Sequence, residues 1–232
     1  DWDAENAASD VSVVWVESAW DPIIPNLNAG EMCDVIISAM TKTDARDEVV
    51  DFTRAYYTSS QGVIGGSGAT AISDVSELNV AGVTVGVQSG TTSDIYANGD
   101  ATNDAMLANA TVVAYEDFPT VIAALNNGDV MYALGDAPVL SLESDLMTSF
   151  SDENFGFAVR EDSGELLDAL NAAIGAIIDS GEYDDIYAAS FNGAVTLADD
   201  STADTAMAYP ATPSGSSDLA GVLDSGALNI CT

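Results

Sequence analysis

The sequence predicts an α/β protein in which short buried strands alternate with helices. Apolar runs rich in β-branched side chains, at residues 11–16, 35–37 and 83–87, have the length of strands buried in a sheet. Helix-ending signals occur at Gly30 and at Asn127-Gly128. With 47% hydrophobic residues among 232, the chain can bury a full core in one or two domains.

The first part of the chain predicts a strand, a helix and a second strand, in that order. Residues 11–16 form the first strand, and residues 22–28 belong to a helix that Gly30 ends. Strand 35–37 follows, and an extended segment at residues 58–66 leads out of this part of the chain.

A short helix after strand 35–37 predicts the first candidate site. Thr43 can cap this helix, whose first turn carries Asp44, Asp47 and Arg46. The fork of an Arg side chain and the N–H groups at a helix start both suit a carboxylate ligand. A simple ion pair of Arg46 with Asp47 or Asp51 explains the same position equally well.

Residues 72–150 predict a second compact α/β unit. Strand 83–87 runs into the turn 88–94, which leads into a helix. The small residues of this turn would let an anion approach backbone N–H groups, although an ordinary strand-to-helix turn with a Ser93 cap accounts for them equally well.

An acidic residue follows the next strand of this unit. Residues 121–125 lie on a helix, residues 131–134 form a strand, and Asp136 comes after that strand. The carboxyl ends of strands are where α/β sheets place ligands. In a chain with 38 acidic residues, a solvated surface group is the competing interpretation.

The composition excludes several classes of function. With 38 acidic and 4 basic side chains, a formal net charge of −34, the chain lacks the clustered cations that a nucleic-acid groove needs. It has no histidine, which removes Ser-His-Asp and Cys-His nucleophiles and the commonest zinc ligand. No apolar run of about 18 residues predicts a membrane span, and we expect any secretion leader to have been removed. We expect no metal, no cofactor and no catalytic residue.

Cys33 and Cys231 are the two cysteines of the chain. An oxidising compartment would permit a disulfide between them. We expect Cys33 at the start of its strand and Cys231 near the end of another, so that neighbouring parallel strands would hold the two beyond bridging distance. We therefore favour unbridged cysteines, and the pairing stays open.

One long stretch of the chain resembles a known protein family. Residues 18–57 read SAWDPIIPNLNAGEMCDVIISAMTKTDARDEVVDFTRAYY, and further matches are VTVGVQSGTTSDIY at 83–96 and FGFAVRED at 155–162. In register, they are similar to the polar amino acid family of extracytoplasmic solute-binding proteins of ABC importers. The resemblance covers most of residues 10–193. It implies a two-lobed, type II periplasmic-binding-protein-like fold, each lobe a mainly parallel sheet flanked by helices.

The resemblance also implies where the lobes begin and end. Residues 1–64 and 153–194 would form the first lobe and residues 65–152 the second, with hinges near 58–66 and 150–158.

The two termini depart from the usual order of the family. Residues 218–232 resemble the family's opening helix and first strand, and follow a stretch at 195–217 with the composition of a linker. Either the chain is circularly permuted, with residues 228–231 in the first-strand position, or it is a piece of a longer tandem protein. We favour the tandem piece, and a disordered tail is a third alternative. The aromatic turn that usually follows the first strand is missing.

For a ligand's α-carboxylate, the resemblance implies a set of four residues. Arg46 would hold it, with help from Thr41 in the same lobe and from Thr91 and Thr92 in the other.

For the rest of the ligand, the resemblance implies four more residues. Asp136 and the carbonyl of Ala39 would accept hydrogen bonds from the α-ammonium. Trp20 would pack on the ligand's side chain. Gln88, where relatives often carry Lys or Arg, would shape the side-chain pocket, and Gly135 would leave room beside Asp136.

The function that the resemblance implies is reversible binding of a free amino acid in an interlobe cleft, for delivery to a membrane ABC permease. The protein would be a monomer, secreted or surface-anchored, in the periplasm or outside the cell. A neutral polar or cationic ligand is favoured, because a buried acidic side chain would lack a partner. The alternatives are a ligand-sensing domain of a receptor and a prephenate or arogenate dehydratase, which needs an acid of raised pKa facing its substrate.

The charge of −34 also predicts a marine or salt-rich habitat, where screening weakens self-repulsion. Raising the ionic strength from roughly 0.01 M to roughly 1 M shortens the Debye length from about 30 Å to about 3 Å. We therefore expect the melting temperature to rise by several degrees over that range. Circular dichroism melts in NaCl and KCl at matched ionic strength measure it, and a flat or falling melting temperature would contradict the expectation.

Overall fold

A computed structural model describes residues 11–190 and 215–232. The chain divides into two compact units. Unit 1 comprises Asp1–Ser18, Pro22–Thr58 and Asn154–Thr232, and unit 2 comprises Ala19–Asp21 and Ser59–Glu153. The unit therefore changes after residue 58, whereas the predicted boundary at residue 64 lies inside a continuous strand. Residues 195–214 of the predicted linker and residues 1–10 lie outside the described ranges.

The described strands are, in chain order, β1 Ser12–Val16, β2 Val35–Ile36, β3 Asp51–Phe52, β4 Tyr57–Gly65, β5 Thr84–Gln88, β6 Thr111–Tyr115, β7 Tyr132–Asp136, β8 Thr148–Phe155, β9 Ala158–Val159 and β10 Ala227–Cys231. The described α-helices are α1 Ile23–Ala29, α2 Asp44–Asp47, α3 Thr92–Asn98, α4 Phe118–Asn127, α5 Ala137–Glu143, α6 Gly164–Asp179, α7 Glu182–Ser190 and α8 Asp218–Ser225, with a 3₁₀-helix at Val75–Leu78. None of these helices combines the length and apolar character needed to cross a bilayer.

The helix ends agree with the local sequence signals. Gly30 ends α1 in the left-handed conformation at φ 69°, which glycine adopts without steric cost. Gly128 ends α4 in the same way. The side chain of Thr43 accepts a hydrogen bond from the backbone N–H of Arg46 and caps α2. These three predictions are confirmed.

The sheet of unit 1 has the strand order β1-β10-β2-β9-β3. Strands β1, β10 and β2 run parallel, and β9 runs antiparallel to both β2 and β3. Its apolar core joins this sheet to α6 and α8 through Val35, Val159, Leu166, Leu219 and Ile230. The sheet is thus parallel at its centre and antiparallel at one edge.

Strand β10 lies between β1 and β2, although it comes from the far end of the sequence. All five of its residues pair with β1, from Ala227 opposite Ser12 to Cys231 opposite Val16. On its other side, Ile230 pairs with Val35. This is the placement that the permuted alternative describes, so residues 218–232 supply an interior strand and a packed helix of unit 1.

A disulfide joins β10 to the segment before β2. Cys33 and Cys231 are bonded, with their Cα atoms 5.6 Å apart. The expectation of unbridged cysteines is wrong, because Cys33 is not part of the parallel ladder. Strand β2 begins only at Val35, and the irregular chain before it brings Cys33 close to the end of β10.

Arg160 connects the start of α8 with α1 and with the segment before β2. Its Nη2 lies 2.9 Å from Oδ1 of Asp218 at the start of α8, and its Nη1 donates to the carbonyls of Leu27 and Cys33. Burial by itself raises the pKa of Asp218, but hydrogen bonds from Arg160 and Ser163 and the guanidinium charge outweigh it, and the net shift is downward. The pair therefore adds stability above a pH of about 4, which is lost as the pH falls through the lowered pKa.

The sheet of unit 2 has the order β6-β5-β7-β4-β8. Strands β6, β5 and β7 are parallel, and β4 pairs antiparallel with β7, so that Gln61 lies opposite Asp136. Val63 and Ile64 are successive residues of β4 that belong to two different core clusters. Because successive side chains of a strand point to opposite faces, both faces of this sheet are covered by apolar groups.

The disulfide predicts a measurable loss of stability on reduction. Breaking the Cys33–Cys231 bond is expected to lower the free energy of unfolding by about 2–4 kcal/mol, because it frees a long loop in the unfolded chain. Urea unfolding with and without dithiothreitol measures the change. The double variant Cys33→Ser, Cys231→Ser is the control, since reductant should leave it unaffected. Equal unfolding free energies for the oxidised and reduced protein would contradict a bond that stabilises the sheet.

Candidate functional site

Arg46 is buried in unit 1 and held by its own segment. Only 9% of the residue is exposed, and its Nη1 donates to the carbonyl of Thr41 at 2.8 Å. Thr41 is itself buried and forms an isolated antiparallel bridge with Phe155. The sequence left open whether Arg46 pairs with Asp47 or Asp51. The structure shows that the carbonyl of Thr41 helps to orient the guanidinium.

Ala39 lies two residues before Thr41 in an unusual conformation. Its φ is 49°, in the left-handed region that costs a residue with a Cβ roughly 1–2 kcal/mol. Such strain in a non-glycine residue is concentrated at functional sites in proteins. The segment from Ala39 to Arg46 therefore contains three of the predicted site residues, one of them strained.

In unit 2, three polar side chains come to one edge of the sheet. Gln88 is the last residue of β5 and Asp136 the last residue of β7, and these neighbouring strands are parallel. Gln61 of β4 pairs with Asp136 across the antiparallel ladder. Asp136 is thus the last residue of its strand, whereas the sequence analysis predicted that it follows the strand.

The turn between β5 and α3 satisfies several of its own polar groups. The hydroxyl of Thr91 donates to the carbonyl of Gln88 at 2.7 Å, and the N–H of Gly90 donates to the carboxylate of Asp94 at 3.0 Å. Thr91, and not Ser93, is the N-cap residue of α3. The predicted Ser93 cap is wrong, because the Ser93 hydroxyl is buried and donates to the side-chain oxygen of Gln61 instead.

Trp20 lies beside this turn and is grouped with unit 2. A Cβ atom on Gly90 would lie 3.5 Å from Cδ1 of Trp20 and 2.9 Å from Oδ1 of Asp21. Gly90 also has a φ of 70°. Close approach and conformation both call for glycine here, and the glycine brings the indole ring against the turn that carries Thr91 and Thr92.

A buried hydrogen-bond network lies next to Asp136. The Nε2 of Gln61 is 2.7 Å from Oδ1 of Asp136, 3.0 Å from Oε2 of Glu153 and 3.2 Å from the hydroxyl of Thr92. The Thr92 hydroxyl lies 3.1 Å from the same Glu153 oxygen, to which it donates. Asp136 and Thr92, both predicted from the sequence, are therefore connected through Gln61.

Sequence reasoning missed Gln61 and Glu153, and it gave Ser93 a capping role in place of its contact with Gln61. No local signal marks Gln61 or Glu153, because their meeting depends on the pairing of β4 with β7 and on the path of β8. The prediction that Gly135 leaves room beside Asp136 is also wrong. A Cβ on Gly135 would lie 3.0 Å from Cε2 of Phe118, so aromatic packing fills that space.

The predicted residues fall into two chemically different sets. The set in unit 1 carries a guanidinium and consists of Ala39, Thr41 and Arg46; the set in unit 2 carries a carboxylate and consists of Trp20, Gln88, Thr91, Thr92 and Asp136. All four Lys and Arg residues of the chain belong to unit 1, so unit 2 contains no basic side chain. Within the described ranges, no three His, Cys, Asp or Glu residues are grouped as a metal site.

The fold is that of type II periplasmic binding proteins. It matches the crystal structure of the ancestral amino acid-binding protein AncCDT-1, a precursor of cyclohexadienyl dehydratase, at a TM-score of 0.68 and 30% identity, over 75% of this chain and 76% of that one. It matches an ancestral arginine-binding protein bound to arginine at a TM-score of 0.68 and 29% identity, over 75% and 78% of the two chains.

Within this class, the chain belongs to the bacterial extracellular solute-binding proteins, family 3, whose model matches residues 2–193. It is 31% identical to the L-arginine-binding protein of Pseudomonas aeruginosa over 187 residues, 76% of this chain and 71% of that protein. It is 30% identical to the lysine/arginine/ornithine-binding periplasmic protein of Escherichia coli over 190 residues, 75% and 70% of the two chains. A probable histidine-binding protein of Neisseria gonorrhoeae is 29% identical over 196 residues, 79% and 70%.

Proposed function

We propose that this protein reversibly binds a free amino acid, with Arg46 holding the α-carboxylate and Asp136 the α-ammonium. The observation that carries the proposal is the buried guanidinium of Arg46, held by the Thr41 carbonyl in a chain with four basic residues. A guanidinium offers a carboxylate two parallel hydrogen bonds, and burial strengthens them. Thr41 adds a further donor for the carboxylate. The hydroxyls of Thr91 and Thr92 already donate to Gln88 and Glu153, so these two residues would contribute through the backbone N–H groups of the first turn of α3.

The opposite charge in unit 2 supports the other half of the proposal. Asp136 ends β7 and is fixed by Gln61, so its carboxylate is oriented before any ligand arrives. The carbonyl of the strained Ala39 is the second acceptor for the ammonium. Trp20 and Gln88 contact the ligand's side chain, the indole by packing and the amide by hydrogen bonding.

The ligand is a neutral polar or cationic amino acid. The named relatives bind arginine, lysine and ornithine, or probably histidine. Unit 2 offers no Lys or Arg to pair with an acidic side chain. Burial of an unpaired carboxylate would be unfavourable, so aspartate and glutamate are poor ligands.

The bound amino acid is delivered to a membrane ABC permease from the extracytoplasmic side, by a monomeric protein. Two observations support an oxidising, extracytoplasmic location: the family to which the chain belongs and the disulfide between Cys33 and Cys231. The strongly acidic composition fits a salt-rich medium. Binding involves no bond cleavage. The dehydratase alternative is tested by incubating the protein with prephenate and following product absorbance.

Replacing Arg46 tests the carboxylate half of the site. Arg46→Ala is expected to weaken amino acid binding by about 10- to 100-fold, the loss expected for a charge-assisted hydrogen bond. Arg46→Lys should restore part of the affinity, since it keeps the charge without the fork. Thermal shift against the twenty amino acids finds the ligand, and calorimetry then gives Kd. Lys42→Gln, which removes a cation from the same segment, is the matched control. Wild-type affinity in a cooperatively melting Arg46→Ala protein would refute the assignment.

Replacing Asp136 tests the ammonium half. Asp136→Asn is expected to weaken binding of the amino acid at least tenfold while changing the affinity for its deaminated analogue much less, because only the amino acid carries the positive charge. Calorimetric Kd values for the two ligands and the two proteins measure the difference. Equal weakening of both ligands would assign Asp136 a purely structural role.

A further inference from the structure

The last residues of β10 contact the chain on both sides of that strand. On the β1 side, Cys231 pairs with Val16. The N–H of Thr232 donates to the carbonyl of Val16, and its carbonyl accepts from the N–H of Ser18, both at 3.1 Å. Ser18 is two residues before Trp20 in the sequence. The end of β10 therefore fixes the point at which the chain leaves β1.

On its other side, β10 holds both ends of β2. The N–H of Ile37 donates to the carbonyl of Cys231 at 3.0 Å, and the N–H of Asp34 donates to the carbonyl of Asn229 at 2.8 Å. Asn229 in turn donates to Oδ2 of Asp34, from its backbone at 2.8 Å and from its side-chain amide at 3.0 Å. The disulfide to Cys33 adds a covalent link at the same place.

The strained residue Ala39 lies between two anchored points of this segment. Before it, Ile37 is bonded to β10. After it, the carbonyl of Met40 accepts a hydrogen bond from the N–H of Gly156 at 3.1 Å. A residue with a Cβ stays in the left-handed region only where the surrounding structure holds it there. The conformation of Ala39, and with it the direction of its carbonyl, therefore depends on both anchors.

We propose that residues 229–232 position the segment from Ala39 to Arg46 for ligand binding, and that the Cys33–Cys231 disulfide makes the affinity of the site depend on redox state. These residues act through the backbone of that segment and do not contact the ligand. The inference rests on the proposed function, since it takes Ala39 and Arg46 as ligand contacts.

Reduction weakens one of the two anchors of Ala39. A dithiol passes two electrons and two protons to the disulfide, which becomes two cysteine thiols, and the dithiol becomes a cyclic disulfide. Without the covalent link, Ile37 is held to β10 by hydrogen bonds and packing, and Ala39 relaxes towards ordinary backbone angles. The fraction of molecules with the binding geometry falls, and the apparent Kd rises in inverse proportion to that fraction.

A disulfide that only stabilises the fold predicts a different result. Such a bond acts on the equilibrium between the folded and the unfolded chain. Well below the melting temperature of the reduced protein nearly all molecules are folded, so Kd would be the same with and without the bond. A change of Kd between two folded forms is therefore the signature of positioning.

The test compares the oxidised protein with the protein reduced by dithiothreitol, at a temperature where circular dichroism shows both to be folded. Calorimetry gives Kd for the amino acid with the largest thermal shift. Reduction is expected to raise Kd about 5- to 30-fold, the factor that corresponds to the left-handed strain at Ala39. The double variant Cys33→Ser, Cys231→Ser should bind like the reduced protein and should not respond to dithiothreitol.

Linkage supplies a second measurement on the wild-type protein. If the disulfide raises the affinity by some factor, saturating ligand must shift the reduction equilibrium towards the disulfide by the same factor. Equilibration in dithiothreitol redox buffers, followed by alkylation of the free thiols in denaturant, measures that shift. A reduction equilibrium that is insensitive to the ligand would contradict the inference.

The variant Asn229→Ala tests the same anchor without changing the cysteines. It removes the side-chain donor to Asp34 and is expected to raise Kd of the oxidised protein about two- to threefold, less than reduction does, because the disulfide remains. Ser12→Ala is the matched control. It removes an exposed side-chain hydrogen bond to Gly226 at the opposite end of β10, and Kd should stay unchanged.

The outcomes separate this inference from the proposed function. If no amino acid binds the oxidised wild-type protein, both fail. If the oxidised protein binds and the folded, reduced protein has the same Kd, the inference fails and the proposed function stands. Should the reduced protein not be folded at any usable temperature, Asn229→Ala decides: a Kd equal to that of Ser12→Ala overturns the inference.

Discussion

The fold of unit 1 depends on the insertion of its last strand between β1 and β2. Strand β10 pairs with β1 along its whole length and with β2 on its other side, so these two strands have no direct ladder between them. The disulfide joins Cys231 of β10 to Cys33, and Arg160 contacts both Asp218 of α8 and the Cys33 carbonyl. These contacts hold β10 and α8 in place. Two segments nearly two hundred residues apart are thereby held in one core, and β2 leads directly to the segment that carries Arg46.

The few basic residues of the chain all lie in the same unit. Each of the four basic residues lies in unit 1, and the side chain of Arg160 serves the structure. Arg160 joins α8 to the loop that contains Cys33, and Arg54 is buried, with its backbone N–H donating to Asn171. Arg46 is buried as well, and its Nη1 donates to the carbonyl of Thr41 within the same segment.

Unit 2 places polar and acidic side chains together at the ends of neighbouring strands. Its sheet brings Gln88 and Asp136 to one edge because β5 and β7 are parallel, and the antiparallel β4 adds Gln61 at the same level. The Gln61 amide donates to Asp136 and Glu153, and the Thr92 hydroxyl donates to Glu153, so these hydrogen bonds fix the orientation of the acidic side chains.

Local sequence patterns were sufficient to predict many of the secondary-structure elements and some of the candidate site residues. Apolar periodicity predicted the strands, and capping chemistry predicted the Thr43 cap and the glycine helix ends, because each depends on neighbours a few residues away. The family resemblance pointed to the candidate residues Arg46 and Asp136. Only the tertiary structure decided four other features: the disulfide, the contacts of Ser93 and Gln61, the filling of space at Gly135 and the burial of Glu153. Each of them depends on where distant segments meet, and strand register across a sheet is set by the packing of the whole core, which no short stretch of sequence specifies.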